Sequence, residues 1–503
     1  MRYVTAPAEI SLEELAEHDL AWSPSMYARL TFANEGTTRT IREVLDQNRP
    51  YQKGIEPGSA SYLDESQYYL IRTKALQEHS ALIYPKGDAI VPINPHSFVE
   101  MHLRDEDILL SKDSNIGQCA MVDGDEWKRH ALSGGIVRLK PTCDPFYLLA
   151  FLKHASFREQ LVAKAPRGST IAHARATWLD CRIPLPSHKG VKEVISILMR
   201  CIVEKEKEIK ERATAIRLAI KQELVAGQKT GEFKFAQPAF SELQDSMRLD
   251  AATYDERYKS KIHLVENYRY GWQTPHELGF TVTPGPSLEL RIIQTRVDSG
   301  VPKPGFYALI LPTNISLYGT LTSLPYMGTG KALPLLQQGD VVFGEAGFHK
   351  GRSMVLVDPI ERCTTNAHGL YARRGDGDLE KSIFFRCVFG WYRGEGLIDL
   401  MAVGGSGGHF SPAYFNWLKV PLFPEELQRQ IVSFYHHGLA APQHNTHPDD
   451  LLKLHRRRNL ELGIFELDKE RTGLWNVLRA AQEAVIAGEP VDLPRITERA
   501  VYL

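Results

Sequence analysis

The stretch Asp-Ile-Leu-Leu-Ser at 107–111 decides the fold, because the chain repeats its pattern as Asp-Val-Val-Phe-Gly at 340–344, after Gly339. In each copy a polar loop follows the apolar run and ends at a glycine, Gly117 or Gly351, after which a second apolar run begins. The second loop is one residue longer than the first. A repeat over so long an interval indicates two duplicated domains rather than a solenoid, whose units are much shorter.

A second pair of motifs keeps the same spacing in both copies. Gly168-Ser169 precedes Ile183-Pro184-Leu185 by the interval that separates Gly405-Ser406 from Val420-Pro421-Leu422. The two copies also open alike, with Asp19, Leu20, Ala21, Trp22 and Tyr27 in the first and Arg248, Leu249, Asp250 and Tyr254 in the second. Equal spacing predicts that a whole domain was duplicated together with the helix that follows it.

The composition is ordinary for a chain of several globular domains. Its 503 residues favour about three domains, and its net charge of -1 means that any surface for nucleic acid must be local. No apolar run approaches the ~20 residues of a membrane helix, and acidic residues in the first 20 positions oppose a signal peptide. We therefore expect a cytoplasmic protein. Its six cysteines form no C-x-x-C pair, which predicts reduced, mostly buried thiols.

One long helix is predicted from Val191 to Leu224, which contains neither proline nor glycine. Its seam repeats at heptad spacing through Ile195, Ile202, Ile209 and Ile216. At 1.5 Å per residue it spans about 50 Å. The remaining face is dense in charge, which predicts a stripe exposed to water: Glu204, Lys205, Glu206, Lys207, Glu208, Lys210, Glu211 and Arg212.

A second seam lies near the end of the chain, where apolar residues alternate four and three apart with one polar exception. Its members are Leu460, Ile464, Leu467, Arg471, Leu474, Leu478, Ala481 and Val485. Two long seams in one chain most simply bury each other, so we expect an antiparallel coiled coil with the two domains at opposite ends. A His-rich loop at 436–450 precedes this helical region.

The globular parts are predicted to be mixed α/β, which makes the fold α+β. Strand-like runs occupy 89–93, 107–110, 136–139, 307–311, 341–343 and 354–357, and short helices are expected at 145–153 and 383–391. The domain boundaries follow from the repeat: 1–186 and 246–423 for the two domains, 187–227 for the central helix, 228–245 for a linker and 424–503 for the distal helices.

Sequence motifs for catalysis or metal binding are incomplete. Residues 328–332 resemble a phosphate loop, but Pro325 and Ala332 stand where the pattern requires Gly and Ser or Thr. Asp-Pro-Phe-Tyr at 144–147 lacks the second proline of an amino-methyltransferase motif, and the glycines of 404–408 fit no cofactor loop. The histidines of the His-rich loop, His436, His437, His444 and His447, have no carboxylate or thiolate pattern that completes a metal site. We expect no catalytic residue and no metal.

In its order of motifs the chain resembles the specificity (S) subunit of type I restriction-modification systems. The resemblance covers nearly the whole chain and rests on the repeated strand motifs, the Gly-Ser loops and the Pro-Leu steps at 183–186 and 420–423. It implies a non-catalytic subunit with two target recognition domains, each reading one half of a bipartite double-stranded DNA target.

The same resemblance implies partners, in a restriction or related phage-defence complex. Two long helices would dock DNA methyltransferase (M) subunits, two of them, and a restriction (R) subunit could join. No cofactor is expected in this chain, and S-adenosylmethionine would belong to the methyltransferase. The expected helix residues are Ile195, Ile202, Ile209, Ile216, Leu460, Ile464, Leu467, Leu474 and Leu478.

The candidate DNA contacts are the polar residues of the duplicated loops. In the first domain they are Lys112, Asp113, Ser114, Asn115, Arg167, Ser169, Thr170 and Arg175. In the second they are Glu345, His349, Lys350, Arg352, Arg373, Arg374, Ser406 and His409. Asn can pair with adenine, Arg with guanine and carboxylates with cytosine, while Lys and Ser more often hold phosphate. Unlike side chains in the two copies predict unlike half-sites, roughly one to one and a half duplex turns apart.

Two other classes of protein stay open at this point. An enzyme, such as a DNA methyltransferase or nuclease with unrecognised motifs, would have to bind a cofactor or metal. A helical scaffold that binds only proteins would leave the duplicated loops and their basic clusters without a role.

Overall fold

The structure is a computed structural model that describes residues 3–17, 22, 27–32, 37–164, 174, 176–186, 188–246, 248–403, 408–440 and 448–502. Its chain divides into two compact units. The first unit comprises Met1–Glu208, Leu439–Leu460 and Leu467–Leu503, and the second comprises Ile209–Gly438 and Glu461–Glu466.

Within its described residues, the first unit begins with ten strands and three helices. The strands are β1 Val4–Thr5, β2 Arg29–Leu30, β3 Thr38–Thr40, β4 Tyr51–Lys53, β5 Tyr69–Ile71, β6 Ile90–Pro92, β7 Ile108–Ser111, β8 Cys119–Met121, β9 His130–Leu132 and β10 Ile136–Leu139. The helices are α1 Leu12–Glu17, α2 Pro145–Lys153 and α3 Ala155–Lys164. Strand β11 Arg182–Pro184 and the long helix α4 Lys189–Ala226 follow.

The second unit continues the chain in the same style. Its strands are β12 Trp272–Gln273, β13 Phe280–Pro284, β14 Val297–Ser299, β15 Tyr307–Leu309, β16 Tyr326–Gly328, β17 Val341–Gly344, β18 Ser353–Val355, β19 Cys363–Thr364, β20 Gly369–Arg374 and β21 Val420–Pro421. Its helices are α5 Phe240–Ser246, α6 Glu256–Glu266, α7 Leu290–Ile293, α8 Leu379–Gly394, α9 Leu397–Met401 and α10 Glu425–Tyr435. The chain ends with α11 Pro448–Glu461, α12 Ile464–Ala487 and α13 Leu493–Val501.

Each unit contains the same central antiparallel sheet. The strand order is β4-β10-β7-β8 in the first unit and β13-β20-β17-β18 in the second. The register is equivalent as well, since Ile136 pairs with Ser111 and Gly369 pairs with Gly344. Strands β7 and β17 are buried at every position, which explains why their sequences are continuous apolar runs rather than alternating ones. The duplication predicted from 107–111 and 339–343 is thus present in the topology.

The Pro-Leu steps occupy equivalent places in both units. Strand β11 pairs with β3, and β21 pairs with β12, both antiparallel. Beyond each pair, the amide of Leu185 donates to the carbonyl of Thr37 at 2.7 Å, and that of Leu422 donates to Gly271 at 3.1 Å. A smaller sheet also recurs, with β5 parallel to β9 and β15 parallel to β19.

A capping box precedes the central sheet in each unit, and the sequence interpretation missed it. Thr40 and Glu43 exchange hydrogen bonds, with the Thr40 amide 2.7 Å from Oε2 of Glu43. Thr274 and Glu277 repeat the arrangement at 2.7 Å. The Thr-x-x-Glu spacing is a recognised signal for the start of a helical turn, so this second mark of duplication was readable from the sequence.

Most predicted elements are confirmed. Strand β10 and helix α2 have the predicted bounds, and α4 extends the predicted 191–224 by two residues at each end. All six cysteines are unpaired, and all but Cys143 are buried. Burial raises the pKa of the Cys119 thiol to about 11 and that of Cys181 to about 12. Helix α5 begins at Phe240, inside the segment 228–245 that was predicted to be a linker. In the part of the chain that the structure describes, no helix is long and apolar enough to cross a membrane.

The distal seam is not one helix, so that part of the prediction is wrong. Helix α11 ends at Glu461 and α12 begins at Ile464, and Leu460 is 70% exposed. The break lies at Gly463, whose backbone packs so tightly that a Cβ there would come within 2.7 Å of the amides of His436 and His437. Ile464, Leu467, Leu474 and Leu478 are fully buried, as predicted.

The charged face of α4 was predicted to be exposed to water along its length. That prediction is wrong for two of its residues. Lys205 is fully buried and Glu206 is 7% exposed. Lys205 contacts α12 through Glu470, with Nζ 2.6 Å from Oε2, and Glu206 contacts Arg471 at 2.8 Å. The heptad spacing located the apolar seam, but it did not reveal that a second helix covers these neighbouring charges.

Candidate nucleic-acid interface

The first candidate surface lies at the end of β7, where Lys112 leaves the central sheet. The Lys112 amide donates to the carbonyl of Gly135 at 2.9 Å, and its own carbonyl accepts from the amide of Ala174 at 2.8 Å. Lys112 Nζ lies 2.5 Å from Oδ2 of Asp113, and both side chains are largely buried. The loop after β7 therefore lies beside the segment that follows the predicted Gly-Ser loop.

The next two residues of this loop differ in their surroundings. Asn115 Nδ2 donates to the carbonyl of Leu76 at 2.7 Å, which holds its amide against the body of the unit. Ser114 is exposed and has a φ of 60°, a left-handed conformation that non-glycine residues adopt infrequently. Of the four predicted residues, Ser114 thus presents its side chain most openly to solvent.

The second candidate surface is built in the same way at the end of β17. The Glu345 amide donates to the carbonyl of His368 at 3.0 Å, and its carbonyl accepts from the amide of Phe410 at 2.8 Å. Val403 and His409 exchange two backbone hydrogen bonds, at 3.1 and 2.8 Å. His409 Nδ1 lies 3.7 Å from Oε1 of Glu345, and the His409 side chain is 55% exposed.

Both copies thus bring together the two loops that the sequence analysis paired, and they do so with equivalent backbone hydrogen bonds. The side chains attached to this common frame differ, with Lys112 in one copy and Glu345 in the other. Arg167, Ser169, Thr170, Arg175 and Ser406 lie outside the described residues, so their predicted roles stay predictions.

The predicted cations of the second domain are held by the fold itself. Arg352 is 4% exposed and donates from Nη1 to the carbonyl of Ile315 at 2.9 Å. Lys350 lies 3.0 Å from Asp399 with a side chain 8% exposed. Arg374 pairs with Asp376, and the hydrogen bond from Arg374 lowers the pKa of that carboxyl. His349 is half-buried.

Arg373 pairs with Asp340, the aspartate that opens the repeated strand motif. Its Nη2 lies 2.7 Å from Oδ2 of Asp340, whose side chain is 1% exposed. The hydrogen bond to Asp340 raises the pKa of Arg373. In the first unit Arg138 lies 3.5 Å from Asp107, the equivalent aspartate, and burial raises the pKa of Asp107. Arg373 thus resembles Arg138: each arginine pairs with the aspartate at the start of the buried strand and stabilises the sheet.

We expect Arg373→Ala to lower the free energy of unfolding by about 1–3 kcal/mol, because Asp340 loses a charge-assisted hydrogen-bond donor while buried. Chemical denaturation of the full chain measures this. Arg291→Ala is the matched control, because Arg291 pairs with Glu289 on the surface, where an ion pair contributes about 0–1 kcal/mol. Unchanged stability together with an altered DNA preference would show instead that Arg373 contacts DNA.

The turn that lies against each of these two loops was not predicted. Gly135 and His368 accept the amides of Lys112 and Glu345 from turns that begin near Ser133 and Asn366. His368 is exposed. It lies far from Glu345 along the chain, but the backbones of the two residues are hydrogen-bonded. Each turn follows its repeated strand at the same spacing, and this spacing could have revealed the two turns in the sequence. Their residue types, however, are unlike.

The His-rich loop contributes an ion pair. His436 Nδ1 lies 2.5 Å from Oε1 of Glu466, and this hydrogen bond raises the pKa of His436. The backbone amide of His437 donates to the other oxygen of Glu466 at 3.0 Å. His444 and His447 lie outside the described residues. Among the residues that are described, no three His, Cys, Asp or Glu side chains are grouped so that they could hold a metal ion.

Comparison with known proteins gives structural likenesses. The type I restriction-modification system S subunit from M. genitalium is 15% identical, with 89% of this chain and 95% of that chain covered and a TM-score of 0.37. This chain is similar to type I specificity subunits. The HsdS subunit from Thermoanaerobacter tengcongensis is 13% identical, with 91% and 98% covered and a TM-score of 0.27.

A structure that concerns complex assembly and conformational transition of the type I R-M system is also similar. It is 12% identical, with 90% of this chain and 98% of that chain covered and a TM-score of 0.28. No protein-family model matches the sequence, and no curated protein matches it.

Proposed function

We propose that this chain is a non-catalytic DNA-recognition subunit of a type I restriction-modification or related phage-defence complex. Each duplicated domain, 1–186 and 246–423, reads one half of a bipartite double-stranded DNA target. One observation carries the proposal: the same junction of two loops is built twice, with equivalent backbone hydrogen bonds and unlike side chains. A reader of two different half-sites requires a constant frame with variable donors and acceptors.

The exposed side chains at each junction are the ones best suited to reach DNA. Ser114 is exposed in the first domain, and the His409 side chain is 55% exposed in the second, beside Glu345. A Ser hydroxyl can bind phosphate or a base edge, and a carboxylate can accept from cytosine. The buried or paired cations of the second domain, Lys350, Arg352 and Arg374, then support the loops or contact DNA phosphate from the edges of the loops.

The helices supply the second half of the proposal, the docking of methyltransferase subunits. Lys205 of α4 lies against Glu470 of α12, and the Leu493 side chain approaches Gly190, fifteen residues before Lys205, to within 3.2 Å of a Cβ built there. The numbering falls from Lys205 to Gly190 along α4 while that of the contacting residues rises from Glu470 in α12 to Leu493 in α13, which supports an antiparallel arrangement. The methyltransferase would bring S-adenosylmethionine, and two copies are expected from the duplication.

Two single substitutions test the division of labour between the domains. Ser114→Gly removes a side chain at a position whose φ of 60° glycine adopts readily, and His409→Ala removes the imidazole of the second junction. Each variant is co-expressed with the neighbouring methyltransferase gene, and methylated adenines are mapped across the host genome by long-read sequencing. We expect each to relax one half of a split motif, by about 1–3 kcal/mol per affected base.

Arg429→Ala is the control, because Arg429 is exposed and pairs with the exposed Glu425 one helix turn away. It should leave both halves of the motif unchanged. A motif indifferent to both loop variants would overturn the two-domain reader and favour a protein-binding scaffold. Methylation by this chain without any partner would favour an enzyme.

A further inference from the structure

Arg248 lies at the start of the second domain, in the opening motif that both copies share and for which no role has yet been given. Its side chain is 6% exposed. Nε donates to Oδ1 of Asp250 at 2.7 Å and Nη2 to Oδ2 at 2.5 Å. The hydrogen bonds from Arg248 lower the pKa of Asp250. The forked guanidinium is thereby fixed in one orientation.

The same guanidinium contacts both flanks of the recognition segment around His409. On the near side, Nη1 donates to the carbonyl of Met401 at 2.6 Å. On the far side, its central carbon lies 5.1 Å from the ring centre of Tyr414 and 5.4 Å from that of Trp417. Those two rings are stacked on each other with centres 5.1 Å apart.

Between these flanks lie the described residues Val403, His409 and Phe410, which belong to the second candidate surface. Val403 and His409 exchange two backbone hydrogen bonds, and the amide of Phe410 donates to the carbonyl of Glu345. Phe410 is fully buried and lies 5.9 Å from Tyr414, ring centre to ring centre. A shift of Tyr414 or Met401 would therefore move the backbone that presents His409.

We propose that Arg248 is the positioning residue of the second recognition surface, fastening Met401 to the Tyr414–Trp417 stack so that His409 is held beside Glu345. The inference rests on the proposed function for its DNA consequence. Lysine is no substitute, since it offers one point charge in place of five donors in a planar fork that also stacks on aromatic rings.

The first test measures anchoring without DNA. In the full chain, Arg248→Lys should speed hydrogen exchange of the Val403, His409 and Phe410 amides by at least about tenfold, because their hydrogen-bonded segment opens locally. Amides of β17 and β20 should keep their protection. Arg257→Lys is the matched control, because Arg257 also pairs with an aspartate two residues away but is 77% exposed. Unchanged exchange in Arg248→Lys would overturn the proposal.

The second test measures recognition. Complexes of the methyltransferase with each variant select from a library of randomised duplex DNA. Arg248→Lys should lose about tenfold or more of the base preference in the second half-site and keep the first half-site intact. Loss in both halves together would mark Arg248 as merely structural. If the unsubstituted chain selects no split motif, the proposed function fails, while the exchange result still decides the anchoring.

If Arg248→Lys does not fold, Trp417→Leu serves in its place, because it removes one ring of the stack and leaves the Arg248–Asp250 pair. The same three amides should then exchange faster, with the second half-site relaxed. Protected amides and an unchanged motif in Trp417→Leu would overturn the proposal equally.

Discussion

Glu470→Ala is expected to lower the free energy of unfolding by about 3–5 kcal/mol, the cost of breaking a buried ion pair by removing one partner. Glu470 is 4% exposed and accepts from Lys205 Nζ at 2.6 Å and from Arg458 Nε at 2.8 Å. Its loss would leave two buried cations with neutral partners only, the side-chain oxygen of Asn459 for Lys205 and the carbonyl of Ala440 for Arg458. Denaturation of the full chain in urea measures the effect.

The same carboxyl should make stability depend on acidity. Burial works to raise its pKa, but the neighbouring His455, with Nδ1 3.7 Å from Oε2, the charge of Lys205 and the hydrogen bond from Arg458 lower the pKa of Glu470 to about 2, from 4.5. A depressed folded pKa contributes stability that is complete above about pH 4.5 and is lost as the pH falls toward 2. Glu470→Gln should flatten that acid limb of the stability curve.

The chain contains a matched control for this pair. Arg456 of α11 pairs with Glu204 of α4 at 2.6 Å, with side chains 54% and 21% exposed. Because solvent screens this pair, Arg456→Ala should cost about 0–1 kcal/mol. If Glu470→Ala costs no more than Arg456→Ala, the buried cluster does not hold α4 against α12 in the way proposed here.

Gly285→Ala is expected to destabilise the second unit by about 2–3 kcal/mol, the range for forcing atoms into a packed site. A Cβ at Gly285 would overlap the carbonyl oxygen of Asn366 and lie 2.8 Å from that of Gly369, and both are backbone atoms that cannot swing aside. Gly54 has the equivalent place in the first unit, against the carbonyl of Ser133. Thermal unfolding of each variant measures the loss.

Gly375→Ala is the control, since nothing lies within 4 Å of a Cβ there and its φ is not left-handed. Replacing such a glycine restricts the unfolded chain and should stabilise by about 0.4–1 kcal/mol. The prediction for Gly285 would be contradicted by a midpoint equal to that of Gly375→Ala. A paired result, with Gly54→Ala and Gly285→Ala both destabilising, would show that the two copies need glycine for one shared reason.

The repeated motifs predicted the central sheets well, because each rests on a local rule. Strands β7 and β17 are buried on every side and need only apolar residues, so the runs at 107–111 and 339–343 identify them. Helix α4 was predicted nearly to its ends because heptad spacing is a property of neighbours along one chain. The prediction of a single distal helix failed at Gly463. The helix breaks there because the backbone of His436 and His437, which lie elsewhere in the chain, packs against this glycine.

The candidate site divides along the same line. The sequence by itself determined that two pairs of loops recur at equal spacing. The backbone hydrogen bonds of Lys112 and Glu345 occur at corresponding places in the two copies. Only the tertiary structure decided which polar side chains face solvent, exposing His409 while burying Arg352. The tertiary structure also buries Lys205, although the residues around it in the sequence are charged and predicted a face exposed to water. The physical reason is that a charge is buried or exposed according to its partner, and partners such as Glu470 are brought near by folding alone.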